Sequence, residues 1–112
     1  MIRVTAKQLE SMQAAQTAAL ADDVLRVLEH AAPQHFAGLS EHDRLASVRR
    51  GVANALAAGM PSRTLVVEYV HIELTHGEDV FKRADVAAVM RMEWMPAWAR
   101  IQRVGSMIAE AL

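Results

Sequence analysis

The stretch that comes nearest to a catalytic signature is His71-Ile72-Glu73-Leu74-Thr75-His76. A zincin needs two histidines at i and i+4 on one helix face, with glutamate directly after the first. Here the histidines are five apart, which on a helix turns them about 140° away from each other. His30, His35 and His42 bracket a second region, and they would share a site only if the connector between the first two helices folded back. Asp22-Asp23 and Glu78-Asp79 are adjacent carboxylates, but sequence neighbours diverge on a helix and do not form a matched acid and base couple. There is no Gly-rich phosphate loop and no nucleophile elbow. The chain has no cysteine, which removes thiolate nucleophiles, disulfides and most zinc knuckles. The expectation is a protein without catalytic residues, without a metal and without a cofactor.

A different chemistry stands out in Met90-Arg91-Met92-Glu93-Trp94-Met95-Pro96-Ala97-Trp98. Both tryptophans and three of the seven methionines fall within these residues. The positions go all the way round a helix, so one core cannot take them all. Trp and Met are enriched at the centres of protein interfaces, and Met adapts to irregular surfaces. Met90, Met92, Trp94, Met95 and Trp98 are therefore the candidate partner-binding residues, with core packing as the competing reading. Pro96 breaks the backbone between the tryptophans, so one indole is expected to pack inward while the other stays available.

Charge argues against other partners. Twelve Lys and Arg oppose thirteen Asp and Glu, interleaved and without a basic block. Phosphate-backbone binding needs a concentrated positive face, so nucleic acid is not favoured. Met1-Ile2-Arg3-Val4-Thr5 lacks the apolar core of a signal peptide, and no apolar run approaches the roughly 18 residues of a membrane span. The expected compartment is the cytoplasm.

The elements that must carry these residues read as helices. With 112 residues, 53% of them apolar, the chain suits one compact domain with a thin core. Surplus apolar residues in so small a domain are also compatible with a two-fold homodimer. Thr5 and Gln8 form a capping box, and Leu9, Met12, Ala19, Leu20, Val24, Val27, Leu28 and Ala31 follow at helical spacing. One long helix over 6–31 is predicted, stopped by Pro33. Ser40 with Asp43 starts a second helix, with Leu45, Val48, Val52, Ala55 and Leu56 on one face and Gly59 as its stop. Ser62 or Thr64 caps a third segment, 65–76. Its Val66, Val67, Val70, Ile72 and Thr75 make a buried strand a competitor, but Leu65, Tyr69 and Ile72 recur at helical spacing, and a sheet would have no second strand. A fourth helix is expected from Asp85 through about Glu93. A fifth begins near Pro96, with Trp98, Ile101, Val104, Ile108 and Leu112 on one stripe. The fold class is all-α, about five helices with a long N-terminal one.

Helix two, the Gly59–Ser62 turn and helix three mimic a helix-turn-helix. A recognition helix presents Arg, Lys, Asn or Gln to base edges, whereas this one offers mainly Val, Glu and His.

Pro33, Leu39-Ser40-Glu41, Arg49-Arg50-Gly51-Val52 with Ala55, Gly59-Met60-Pro61-Ser62, Tyr69 and Gly77-Glu78-Asp79-Val80-Phe81 form an ordered series. In this order they resemble a family of small helical proteins found in bacterial type VI secretion gene neighbourhoods, beside spike-tip and effector genes. The likeness runs from Thr5 to Phe81. His71, Glu73, Thr75 and His76 depart from it by replacing much of an apolar run, and the chain after Phe81 does not align. The resemblance implies a non-enzymatic accessory protein: an adaptor or chaperone that holds a secretion effector, or an immunity protein that blocks a toxin. A DNA-binding regulator is the third reading. The matching residues read as scaffold: Gly51 lets another helix approach, Gly59 and Gly77 end helices, and Tyr69 anchors helix three.

Overall fold

A computed structural model describes residues 5–111. Its first helix, α1, spans Ala6–Ala31. The Gln8 amide donates to Thr5 Oγ1 at 3.1 Å and the Thr5 amide donates to Gln8 Oε1 at 2.9 Å, so each residue satisfies a backbone donor that the helix start leaves open. Early in α1 the described side chains are exposed, through Gln16. Burial is complete only at Ala21, Val24 and Leu28. The expected stripe is corrected here: Ala19 and Ala31 face solvent, and Ala21 holds the core position. The side chains of Leu9 and Met12, and residue Leu112 on the last stripe, lie outside the described residues.

After α1 the chain makes a single 3-10 turn, Pro33–Phe36, which drives Phe36 into the core at 1% exposure. Arg44 holds this connector down. Its Nη1 meets Glu29 at 3.0 Å, its Nε donates to the Leu39 carbonyl at 3.1 Å, and its guanidinium lies 5.9 Å from the Phe36 ring centre. Helix α2, Glu41–Ala57, starts at Ser40, whose hydroxyl accepts from the Asp43 amide at 3.1 Å. Val48, Gly51, Val52 and Ala55 are its buried face. Leu56, expected on that face, is 40% exposed, because one residue beyond Ala55 is about 100° further round the helix.

The ambiguous third segment is helical: α3 spans Arg63–His76, with Ser62 as its cap. The positive φ of Gly77 ends it, a conformation that glycine adopts without a Cβ clash. Gly51 sits where α2 and α3 cross. A Cβ there would meet Val70 Cγ1 at 3.1 Å and Cγ2 at 3.2 Å, so the missing side chain is what lets the two helices approach. A second 3-10 turn, Val80–Lys82, returns Phe81 to stack on Tyr69, the ring centres 3.9 Å apart and the planes 4° from parallel.

Helix α4 spans Ala84–Met90, three residues shorter than the expectation of Glu93. The Met90 carbonyl, which a longer helix would bond to the Trp94 amide, instead accepts from Arg100 Nη1 at 2.8 Å. That contact ties the end of α4 to α5, Ala97–Ala111. On α5, Ala97, Ile101, Val104 and Ile108 are buried. Trp98, expected on this stripe, is displaced from it by Ala97.

The described residues thus form five α-helices and two 3-10 turns, with no strand. The first three helices enclose one core with Phe36, which Ala97 and Ile101 of α5 extend. Val80, Val86, Val89, Val104 and Ile108 make a second core under the α4–α5 pair. Ile72, Phe81 and Met90 pack against both. No helix among the described residues is long and apolar enough to cross a membrane.

Candidate protein-binding surface

The loop joining α4 to α5 presents Trp94, and the first turn of α5 presents Trp98. The Met95 amide donates to the Met92 carbonyl at 3.0 Å, closing a four-residue turn with Trp94 third and at its tip. The Pro96 carbonyl then accepts from the Arg100 amide at 3.1 Å and starts α5. The loop is clamped at its base by Arg100, whose Nη1 holds the Met90 carbonyl while its Nε is buried without a hydrogen-bond partner. This geometry leaves Trp94 80% exposed and Trp98 58% exposed. The expectation that one indole packs inward is corrected: both lie outside the core. Met90, Met92 and Met95 are half-buried, and Met90 joins both cores. The five candidate residues therefore divide: Met90 packs against the core, Met92 and Met95 are half-buried in the loop, and the tryptophans face outward.

Trp98 also forms one wall of an open groove between α3 and α5. The groove holds about 750 Å³ and is lined by Leu65, Glu68, His71, Ile72, Ile101 and Gln102 among others. Its floor is apolar and its rim carries Glu68, His71 and Gln102, the arrangement of a small protein interface with an aliphatic centre and a polar border.

Two polar arrangements escaped the sequence. Glu73 is 6% exposed, held by Asn54 Nδ2, which donates to its two oxygens at 3.4 and 3.3 Å. Burial raises its pKa above the ordinary value, against the opposing pull of the Asn54 hydrogen bond. Arg50, whose charge also acts on Glu73, pairs with Glu78 at 2.7 Å. Beside it, burial and the Glu73 carboxylate push the Tyr69 hydroxyl up to about 12. The only advance sign of this was a glutamate one residue after Ile72, three after Val70, inside an apolar run.

The second arrangement joins histidines from different elements. His35, in the connector, meets His71 of α3, with Nε2 to Nδ1 at 3.3 Å. Of the two histidines that sequence grouped with His35, His42 is exposed and His30 lies at the exposed end of α1, and neither joins this contact. Among the described residues no three His, Cys, Asp or Glu side chains gather as a metal site. No protein-family model, no curated protein and no solved structure matches this chain.

Proposed function

We propose that the protein is a non-enzymatic accessory factor that binds another protein through the Trp94–Trp98 surface and the adjoining α3–α5 groove. The observation that carries this reading is the exposure of both tryptophans, 80% and 58%, Trp94 on a loop that Arg100 holds in place and Trp98 on the first turn of α5 beside it. A pre-formed loop loses little freedom on binding, and two large aromatic faces beside an apolar groove suit the burial of an apolar segment from a partner. The resemblance over Thr5–Phe81 favours a secretion effector as that partner, with this chain as adaptor or chaperone, working in the cytoplasm before the effector is loaded. The resemblance rests on scaffold residues such as Gly51, Gly59, Tyr69 and Gly77, whereas the tryptophans lie beyond it, where partner choice has room to vary.

The test uses co-purification with the products of neighbouring genes. Trp94→Ala and Trp98→Ala are expected to keep the melting temperature, because substitutions at exposed positions usually change stability by only about 0.5 kcal/mol. Loss of an interface tryptophan costs about 2 kcal/mol or more, roughly thirtyfold in affinity. Unchanged co-purification by both variants would overturn the surface assigned here. A neighbouring protein that kills cells unless this chain is present would convert the adaptor into an immunity protein acting through the same surface.

A further inference from the structure

We propose that His35 and His71 form a two-histidine chelate for a divalent first-row transition cation, Zn²⁺, Ni²⁺ or Cu²⁺. The two facing nitrogens, His35 Nε2 and His71 Nδ1, are 3.3 Å apart. Zinc–nitrogen bonds of about 2.0–2.1 Å at a tetrahedral angle place two ligand nitrogens about 3.3–3.4 Å apart. The ring centres give a second, independent measure. When both imidazoles point at one cation in that geometry, their centres stand about 5.2 Å apart, and the observed separation is 5.1 Å with the planes at 64°. A straight N–H···N hydrogen bond at this nitrogen separation would push the centres to about 5.6 Å. The observed separation of the centres is shorter than a straight hydrogen bond gives and matches that of two ligands on one cation.

Thr75 lines the same space. Its Oγ1 donates to the His71 carbonyl at 2.7 Å, so its hydrogen is committed and a lone pair faces His35 Nε2, 3.4 Å away. His35 Nε2, His71 Nδ1 and Thr75 Oγ1 then face one another over two long contacts, 3.3 and 3.4 Å, with at most one hydrogen between the two rings, its place set by the tautomer. A cation satisfies all three better. His35 is half-buried and His71 exposed, so the space between them is open to solvent on the His71 side. No third His or carboxylate joins them among the described residues. Water completes the shell, binding is reversible, and imidazole selects zinc, nickel and copper over magnesium and calcium. A bound cation pins the Pro33–Phe36 connector to α3, on the helix whose His71 borders the Trp98 groove.

The test is calorimetric titration of untagged full-length protein with ZnCl₂ and NiCl₂, with MgCl₂ as the control, and the electron paramagnetic resonance spectrum of the Cu²⁺ adduct. One Zn²⁺ or Ni²⁺ per chain is expected, no Mg²⁺, and nitrogen hyperfine structure from two imidazoles. His71→Ala is expected to lose about tenfold or more in affinity and the two-nitrogen signature, while His30→Ala, His42→Ala and His76→Ala bind as the parent does. His35→Ala is expected to match His71→Ala; if it unfolds through its edge contact with Phe36, the exposed His71 carries the test alone. Absence of binding at millimolar Zn²⁺, or equal affinity in parent and His71→Ala, overturns the chelate.

Discussion

Replacing Gly51 with alanine sets two opposing effects against each other, and the structure says which wins. Inside a helix, alanine is favoured over glycine by about 1 kcal/mol, because glycine loses more backbone freedom on folding. At Gly51 the added methyl would stand 3.1 and 3.2 Å from the two Val70 methyls and 3.5 Å from Glu73 Oε1. Val70 is fully buried and β-branched, so its χ1 has essentially one rotamer on a helix and it cannot swing aside. Overpacking of this kind costs about 1–3 kcal/mol, and Gly51→Ala should destabilise the protein by about 1 kcal/mol net. Gly105 supplies the control. It lies inside α5, and nothing stands within 4 Å of a Cβ added there; Gly105→Ala should stabilise by about 0.5–1 kcal/mol. For a domain of this size the two variants should then melt about 8 °C apart, in opposite directions from the parent. Urea denaturation followed by far-ultraviolet circular dichroism measures both, with unchanged m-values showing that the unfolded state is not the cause. Gly51→Ala stabilising as much as Gly105→Ala would refute the close crossing of α2 and α3.

Glu73→Gln should raise stability at neutral pH. Burial lifts the folded pKa of Glu73 above its unfolded value of 4.5, so the folded state binds the proton more tightly and the ionised group opposes folding. The parent therefore recovers stability as pH falls through the folded pKa towards 4.5, and the advantage of the glutamine variant shrinks over that window; an advantage constant with pH would show that ionisation is not involved. Phe81→Ala should cost about 2–3 kcal/mol, combining lost burial with the lost stack on Tyr69. Phe81→Leu should restore the burial portion alone, and equal melting temperatures for parent and Phe81→Ala would show that the stack contributes nothing.

The boundaries of the helices were legible because they are local. Thr5 with Gln8, Ser40 with Asp43, and Ser62 with Leu65 each close a hydrogen bond within three residues. Gly59 and Gly77 end helices through positive φ values, and Pro33 stops α1 by its own geometry. None of these needs a tertiary partner, so residue type and spacing determine them. The competition between strand and helix at 65–76 was likewise decided by spacing, and the cluster of Trp and Met at 90–98 was visible from composition alone. What composition could not say was where those side chains point. Ala55 against Leu56, and Ala97 against Trp98, are adjacent choices about 100° apart on a helix, and only tertiary packing selects the smaller residue of each pair for the core. The end of α4 depended on Arg100, ten residues further on, taking the Met90 carbonyl. Glu73 entered the interior because Asn54 and the bare face of Gly51 lay opposite it on another helix. His35 and His71 are separated by 36 residues, and no periodicity within either element relates them; the fold alone brings their nitrogens together, because Phe36 anchors the connector in the core beside α3.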